Sequence, residues 1–149
     1  MISTHLNKME DKLIAVSACL LGVNCKYNAK NNLNFKVIEY LKGKEVILIC
    51  PEELGGLTTP RIPSEIQKDG RITNKASIDV TENFNLGARK ALDIIKKNNC
   101  SKVILKDGSP SCGYTYVYDG SFTGKRIRSQ GISARYLKEN GIKIIDLET

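Results

Sequence analysis

Three short apolar runs each give way, within a few residues, to a cysteine set in a turn rich in glycine, serine or proline. Residues 13–18 (LIAVSA) run into Cys19, residues 45–49 (EVILI) into Cys50-Pro51, and residues 102–105 (KVIL) into the loop KDGSPSCG that carries Cys112. Runs this short and this rich in Val, Ile and Leu read as strands, and EVILI is apolar enough to be buried on both faces. The segments between them have helical spacing. Strands that alternate with helices predict an α/β fold: a single three-layer domain around a mostly parallel, Rossmann-like sheet. In such a sheet the carboxyl ends of the strands line the ligand crevice, so all three cysteines are expected along one edge.

The helices have their own signals. Asn34 is placed to cap a helix carrying Phe35, Val37, Ile38 and Leu41, which ends at Gly43. Thr81 is placed to cap a long helix whose core face is Phe84, Ala88, Ala91, Leu92 and Ile95. Ser133 is placed to cap a last helix through Leu137, with Gly141 as its stop and residues 142–147 as a final strand. Residues 50–65 (CPEELGGLTTPRIPSE) hold three of the four prolines and read as a rigid, functional loop. A small hairpin insertion follows over residues 65–78, turning at Asp69-Gly70. Residues 114–122 (YTYVYDGSF) read as a short strand or an ordered loop. Residues 1–12 read as a flexible arm, and residues 13–149 as one domain.

A chain of 149 residues is long enough to bury a core without disulfide staples. The opening MISTHLNKMEDK is polar and lacks the apolar stretch of a signal peptide. No apolar run approaches a membrane span. The expected setting is cytoplasmic and reducing, with no membrane partner and no obligate protein partner. There, cysteines more often serve metals or catalysis than disulfides, and the odd total of five agrees. The net charge of +7 is compatible with an RNA or nucleotide substrate.

Cys19, Cys50 and Cys112 are the candidate metal ligands. The only histidine, His5, lies in the arm, and thiolate-only coordination favours zinc or an iron–sulfur cluster. Cys25 is either a neighbouring thiol or a fourth ligand, and Cys100 reads as structural. Glu52 directly follows Cys50-Pro51, so a carboxylate beside a Lewis acid is a candidate general base. Glu53 would point away if the loop is extended. Ser109 and Ser111 can offer hydroxyls to a substrate. Arg61 either pairs a phosphate or carboxylate of the substrate or pins its loop to Glu65. Lys125 and Arg126, in the basic run GKRIR, can grip a phosphate backbone.

Taken together, SACLLG with Cys25 and Tyr27, CPEELGGLTTPRIPSEI, and LKDGSPSCG resemble the TudS-like desulfidases, over nearly the whole of residues 13–146. The resemblance implies a 4Fe–4S cluster held by Cys19, Cys50 and Cys112, with one iron free for the sulfur of a thiolated uracil. It implies catalytic roles for Glu52, Ser109 and Ser111. It also implies removal of sulfur from 4-thiouridine in tRNA or from free thiouracil, and the expected chemistry for this is non-redox hydrolysis that releases sulfide. One departure stands out: the family often reads Arg-Tyr-Asp-Gly where this chain has Lys26-Tyr27-Asn28-Ala29. The competing readings are a closed structural zinc site with an RNA-binding surface, a metal-free nucleoside-processing enzyme, and a thiol redox protein.

Overall fold

A parallel sheet of four strands forms the frame of the molecule, whose computed structural model describes residues 12–149. Residues 1–11 of the expected arm lie outside the described residues. In chain order the elements are β1 (Leu13–Ser17), a 3-10 turn (Ala18–Leu21), α1 (Phe35–Tyr40), β2 (Glu45–Ile49), α2 (Pro51–Leu54), β3 (Ser64–Ile66), β4 (Ile72–Asn74), α3 (Thr81–Lys97), β5 (Lys102–Ile104), β6 (Val117–Tyr118), β7 (Arg126–Ile127), α4 (Ile132–Glu139) and β8 (Lys143–Ile144). The sheet order is β2-β1-β5-β8, every pair parallel. β3 and β4 make one antiparallel hairpin, and β6 and β7 another. Among the described residues no helix is long and apolar enough to cross a membrane.

The alternation of side chains along the strands builds the layers. Ala15, Val103 and Leu105 pack with Ala91, Leu92 and Ile95 of α3 and with Ala134 and Leu137 of α4. Ile14, Val16 and Ile104 point the other way, onto Val37 of α1, Leu20 and Leu41. The three-layer α/β arrangement read from the sequence is therefore the fold. A third, smaller cluster of Ile72, Val80 and Phe84 seats the β3–β4 hairpin on the start of α3.

Some local expectations hold and others give way. Asn34 caps α1, its side chain accepting from the Val37 N–H at 3.1 Å. The hairpin turns at Asp69-Gly70, where Gly70 takes a φ of 90°. β2, read as buried, is an edge strand, and Leu48 is 48% exposed. Thr81 is not the cap of α3. Val80 holds that position, and the Thr81 hydroxyl instead accepts from Ile72 N–H and donates to Asp79. Ser133 is not the cap of α4 either. Gly131 stands there, and Ser133 is fully buried. The Thr81 hydroxyl is held by Ile72 and by the neighbouring Asp79, and that of Ser133 by the distant Ser111, partners that the capping pattern does not register. Of the expected final strand, only Lys143–Ile144 pairs.

Candidate active site

Because β2, β1 and β5 are adjacent and parallel, their carboxyl ends open at the same edge. The 3-10 turn after β1 carries Cys19, Cys50 is the N-cap of α2, and the loop after β5 carries Cys112. All three line one cavity of about 500 Å³, together with Cys25, Glu52 and Ser109. All five cysteines are free thiols. Cys100 is buried away from this site, against the carbonyls of Leu13 and Lys102, as the structural reading expected.

The thiols are not equivalent. Cys25 is buried, and its single S–H, shared between the sulfurs of Cys19 and Cys50, is held firmly, so its pKa is raised. That donation, more than the opposing burial, draws Cys19 down to about 7, with help from the Asn32 amide at 3.4 Å and the charge of Lys106. Cys50 is lowered for the same first reason, aided by Arg61. Cys112 is pushed up to about 12, chiefly by burial. A cation bound here would have to displace the Cys112 proton, as thiolate sites require. Four soft sulfur donors facing one cavity, with the Cys19 and Cys50 thiols shifted toward easier ionisation, fit a thiophilic iron–sulfur centre.

The short helix α2 was not foreseen. Pro51 occupies its first turn, where the missing N–H costs nothing. α2 rests on α3 at two glycines: a Cβ on Gly87 would meet the Pro51 carbonyl oxygen at 1.9 Å, and one on Gly55 would meet that of Asn83 at 2.0 Å. This backbone-to-backbone seat fixes the direction of Glu52. The Glu52 carboxylate accepts from Arg61 Nε at 3.1 Å, and both side chains are mostly buried. Burial raises the Glu52 pKa, and the Arg61 charge and hydrogen bond pull it back. Glu53 does not point away as an extended loop would require. Successive residues on a helical turn diverge by far less than on a strand, and its carboxylate lies within 4.8 Å of the Cys25 and Cys50 sulfurs.

Arg61 lines the cavity, but its guanidinium is engaged by the protein. Nε serves Glu52, Nη1 the Thr58 carbonyl and the Thr59 hydroxyl, and Nη2 the Cys25 carbonyl. Its carboxylate partner is Glu52, not Glu65. Ser109 accepts the Cys112 N–H at 2.6 Å and keeps its own proton to give. Ser111 is not among the residues lining the cavity. It is 1% exposed and donates to Ser133 Oγ at 2.9 Å, which braces the loop against α4. Lys125 and Arg126 are exposed and also lie outside the lining. The Arg126 guanidinium stacks 4.2 Å from the Tyr116 ring and 6.0 Å from that of Tyr118, and both tyrosines line the cavity. Asn28, at the departure from the family pattern, turns its side chain to the Lys30 N–H. Ala29 beside it takes a φ of 61°, a left-handed conformation natural to the usual glycine.

Lys106 and Asp107 are among the polar residues of the site that have no role assigned from the sequence. Lys106 lines the cavity and donates to the Asp107 carbonyl at 2.8 Å, and burial lowers its pKa. Asp107 is buried and accepts from the backbone N–H of Gly108, Tyr114 and Thr115 and from the Thr115 hydroxyl, so it ties the loop of Cys112 into one piece. The signal for both was their position directly after an apolar strand.

The model of the 2-thiouracil desulfurase family matches residues 14–149. An uncharacterized Bacillus subtilis (strain 168) protein, YbbK, is 39% identical over 142 residues, which span 89% of this chain and 94% of that one. The solved structure of TudS, described as a 4Fe–4S-dependent thiouracil desulfidase, superposes with a TM-score of 0.83 at 34% identity. That match covers 92% of this chain and 91% of the other.

Proposed function

The chain belongs to the 2-thiouracil desulfurase family, and from that premise we propose that it removes the sulfur of a thiolated uracil by non-redox hydrolysis, releasing sulfide. The observation that carries this reading is the meeting of Cys19, Cys50 and Cys112 with Glu52 in one cavity at the carboxyl edge of the sheet. Cys19, Cys50 and Cys112 would hold a 4Fe–4S cluster, which when bound supplies a Lewis-acidic iron for the sulfur of the substrate.

The residues of the chain supply the rest. Glu52 takes a proton from water, whose oxygen forms the new bond to the ring carbon. Arg61 keeps the Glu52 carboxylate aimed into the cavity. The carbon–sulfur bond breaks, the carbonyl forms, and the sulfur leaves with the two protons of the water as hydrogen sulfide. The thiocarbonyl is exchanged for a carbonyl at the expense of one water, so no electrons are gained or lost. Ser109 donates to the developing charge, and the Lys106 ammonium stabilises the departing anion.

The test is anaerobic reconstitution followed by turnover of thiouracil and thiouridine in ¹⁸O-water. The expected products are one sulfide and one ¹⁸O-labelled carbonyl per turnover, with Glu52→Gln keeping its iron but losing turnover. Full activity in Glu52→Gln would remove the general-base assignment. Absence of sulfide from every thiolated uracil would remove the function.

A second reading has one observation in its favour. The Cys25 and Cys50 sulfurs and a Glu53 carboxylate oxygen lie within 4.8 Å of one another, a spacing suited to a single ion. A colourless protein with one tightly held zinc, dependent on Cys25, would establish it.

A further inference from the structure

Two hollows share a wall. Beside the cysteine cavity lies a second one of about 370 Å³, lined by Gln67, Arg71, Thr73 and Ser77 among others. Phe122 and Lys75 line both. Phe122 sits on the tongue between β6 and β7 with a φ of 58°. A bulky aromatic residue in the left-handed region is strained, and such strain gathers where function needs a fixed side chain.

The tongue is fastened by its backbone. Glu65 of β3 accepts from the N–H of Gly120 at 2.9 Å and from that of Phe122 at 3.1 Å. Gln67 donates to the Gly120 carbonyl at 3.1 Å. A Cβ on Gly120 would meet the Ile66 carbonyl oxygen at 2.8 Å, so the chain passes too close for a side chain there. What this apparatus holds in place is the half-buried Phe122 ring, standing between the two hollows.

The geometry points to Phe122 as the wedge that accepts a thiolated base out of an RNA strand. This rests on the reading that the chain acts on thiolated uracil. The base enters the cysteine cavity, the adjacent nucleotide lies in the second hollow, and the Phe122 ring stands in for the stacking partner lost on extrusion. The exposed Lys75 ammonium, on the boundary of both hollows and in no ion pair among the described residues, meets the phosphodiester joining the two nucleotides. A lone base or nucleoside would leave both the wedge and the second hollow unused.

The experiment compares reconstituted wild-type protein, Phe122→Ala, Phe122→Trp and Lys75→Gln. Two substrates are used: 4-thiouridine nucleoside, and a short RNA carrying one 4-thiouridine flanked by 2-aminopurine. Phe122→Ala should lower the RNA-to-nucleoside ratio of kcat/KM about tenfold or more and abolish the change in 2-aminopurine emission on binding. Phe122→Trp should keep both. Lys75→Gln should flatten the salt dependence of RNA binding by about one phosphate contact. A ratio and an emission change that survive Phe122→Ala would overturn the wedge, as would a wild-type protein that treats nucleoside and RNA alike. If the wild-type protein gave the emission change yet released no sulfide from either substrate, the wedge would stand and the desulfidase reading would fall.

Discussion

Arg61 Nε lies 3.1 Å from Glu52 Oε1, and the other hydrogen bonds of the same guanidinium go to the two segments flanking it, at Thr58, Thr59 and Cys25. One side chain thus sets the carboxylate, the proline-rich loop and the thiol turn relative to each other. Arg61→Lys should fail to replace it, because an ammonium cannot serve partners spread around a planar fork. Removing one partner of a mostly buried pair costs about 3–5 kcal/mol, so Arg61→Ala should lower both the melting temperature and kcat. If Arg61→Lys matched wild type in turnover, the positioning role would be refuted.

Gly87→Ala tests the seat of α2. The added Cβ would sit 1.9 Å from the Pro51 carbonyl oxygen, a backbone atom that cannot swing aside. Overpacking costs typically about 1–3 kcal/mol, and contact with backbone places this substitution at the upper end. Because Cys50 and Glu52 ride on that turn, iron retention should fall along with the denaturation midpoint. Normal iron content in a Gly87→Ala protein would show that α2 does not set the site.

Iron counting separates the thiols. Replacement of Cys19, Cys50 or Cys112 by Ser should abolish cluster retention, whereas Cys25→Ser should keep about four irons per chain. Loss of all metal on Cys25→Ser and on Cys50→Ser, with Cys112→Ser unaffected, would instead favour the single-ion site at Cys25, Cys50 and Glu53.

Asp107 predicts an acid limb of stability. Burial pushes its carboxyl up, but the bonds from the Thr115 hydroxyl and from the Thr115, Tyr114 and Gly108 N–H groups more than offset this and hold it below the ordinary aspartate value. A carboxyl whose pKa is lower when folded stabilises the protein above the unfolded value, near pH 4, and that contribution fades as pH falls through the folded pKa. Asp107→Asn should therefore be less stable than wild type at neutral pH, by about 2 kcal/mol for charge-assisted bonds. The two melting temperatures should converge as pH drops toward the folded pKa. Parallel curves between pH 6 and pH 3 would contradict this.

The layers were legible in the chain itself. The short apolar runs LIAVS and KVI, and helical spacing from Phe84 to Ile95, are local signals of strand and helix, and they sufficed to put Cys19, Cys50 and Cys112 at one edge of a parallel sheet. Asn34 was legible as a cap because its partner, Val37 N–H, is three residues away. What escaped the sequence depended on partners distant along the chain. Ser111 and Thr81 were taken by Ser133 and Ile72, residues that no local pattern connects to them. The proline-rich segment after Cys50 became a helical turn because Gly55 and Gly87 let two backbones touch, and that turn brought Glu53 beside the thiols and Glu52 under Arg61. Residue types and their periodicity determined which chemistry this chain can hold. Only the packed structure, where a hydroxyl or a carboxylate takes whichever partner the folded neighbourhood supplies, decided which side chains face the cavity and which brace it.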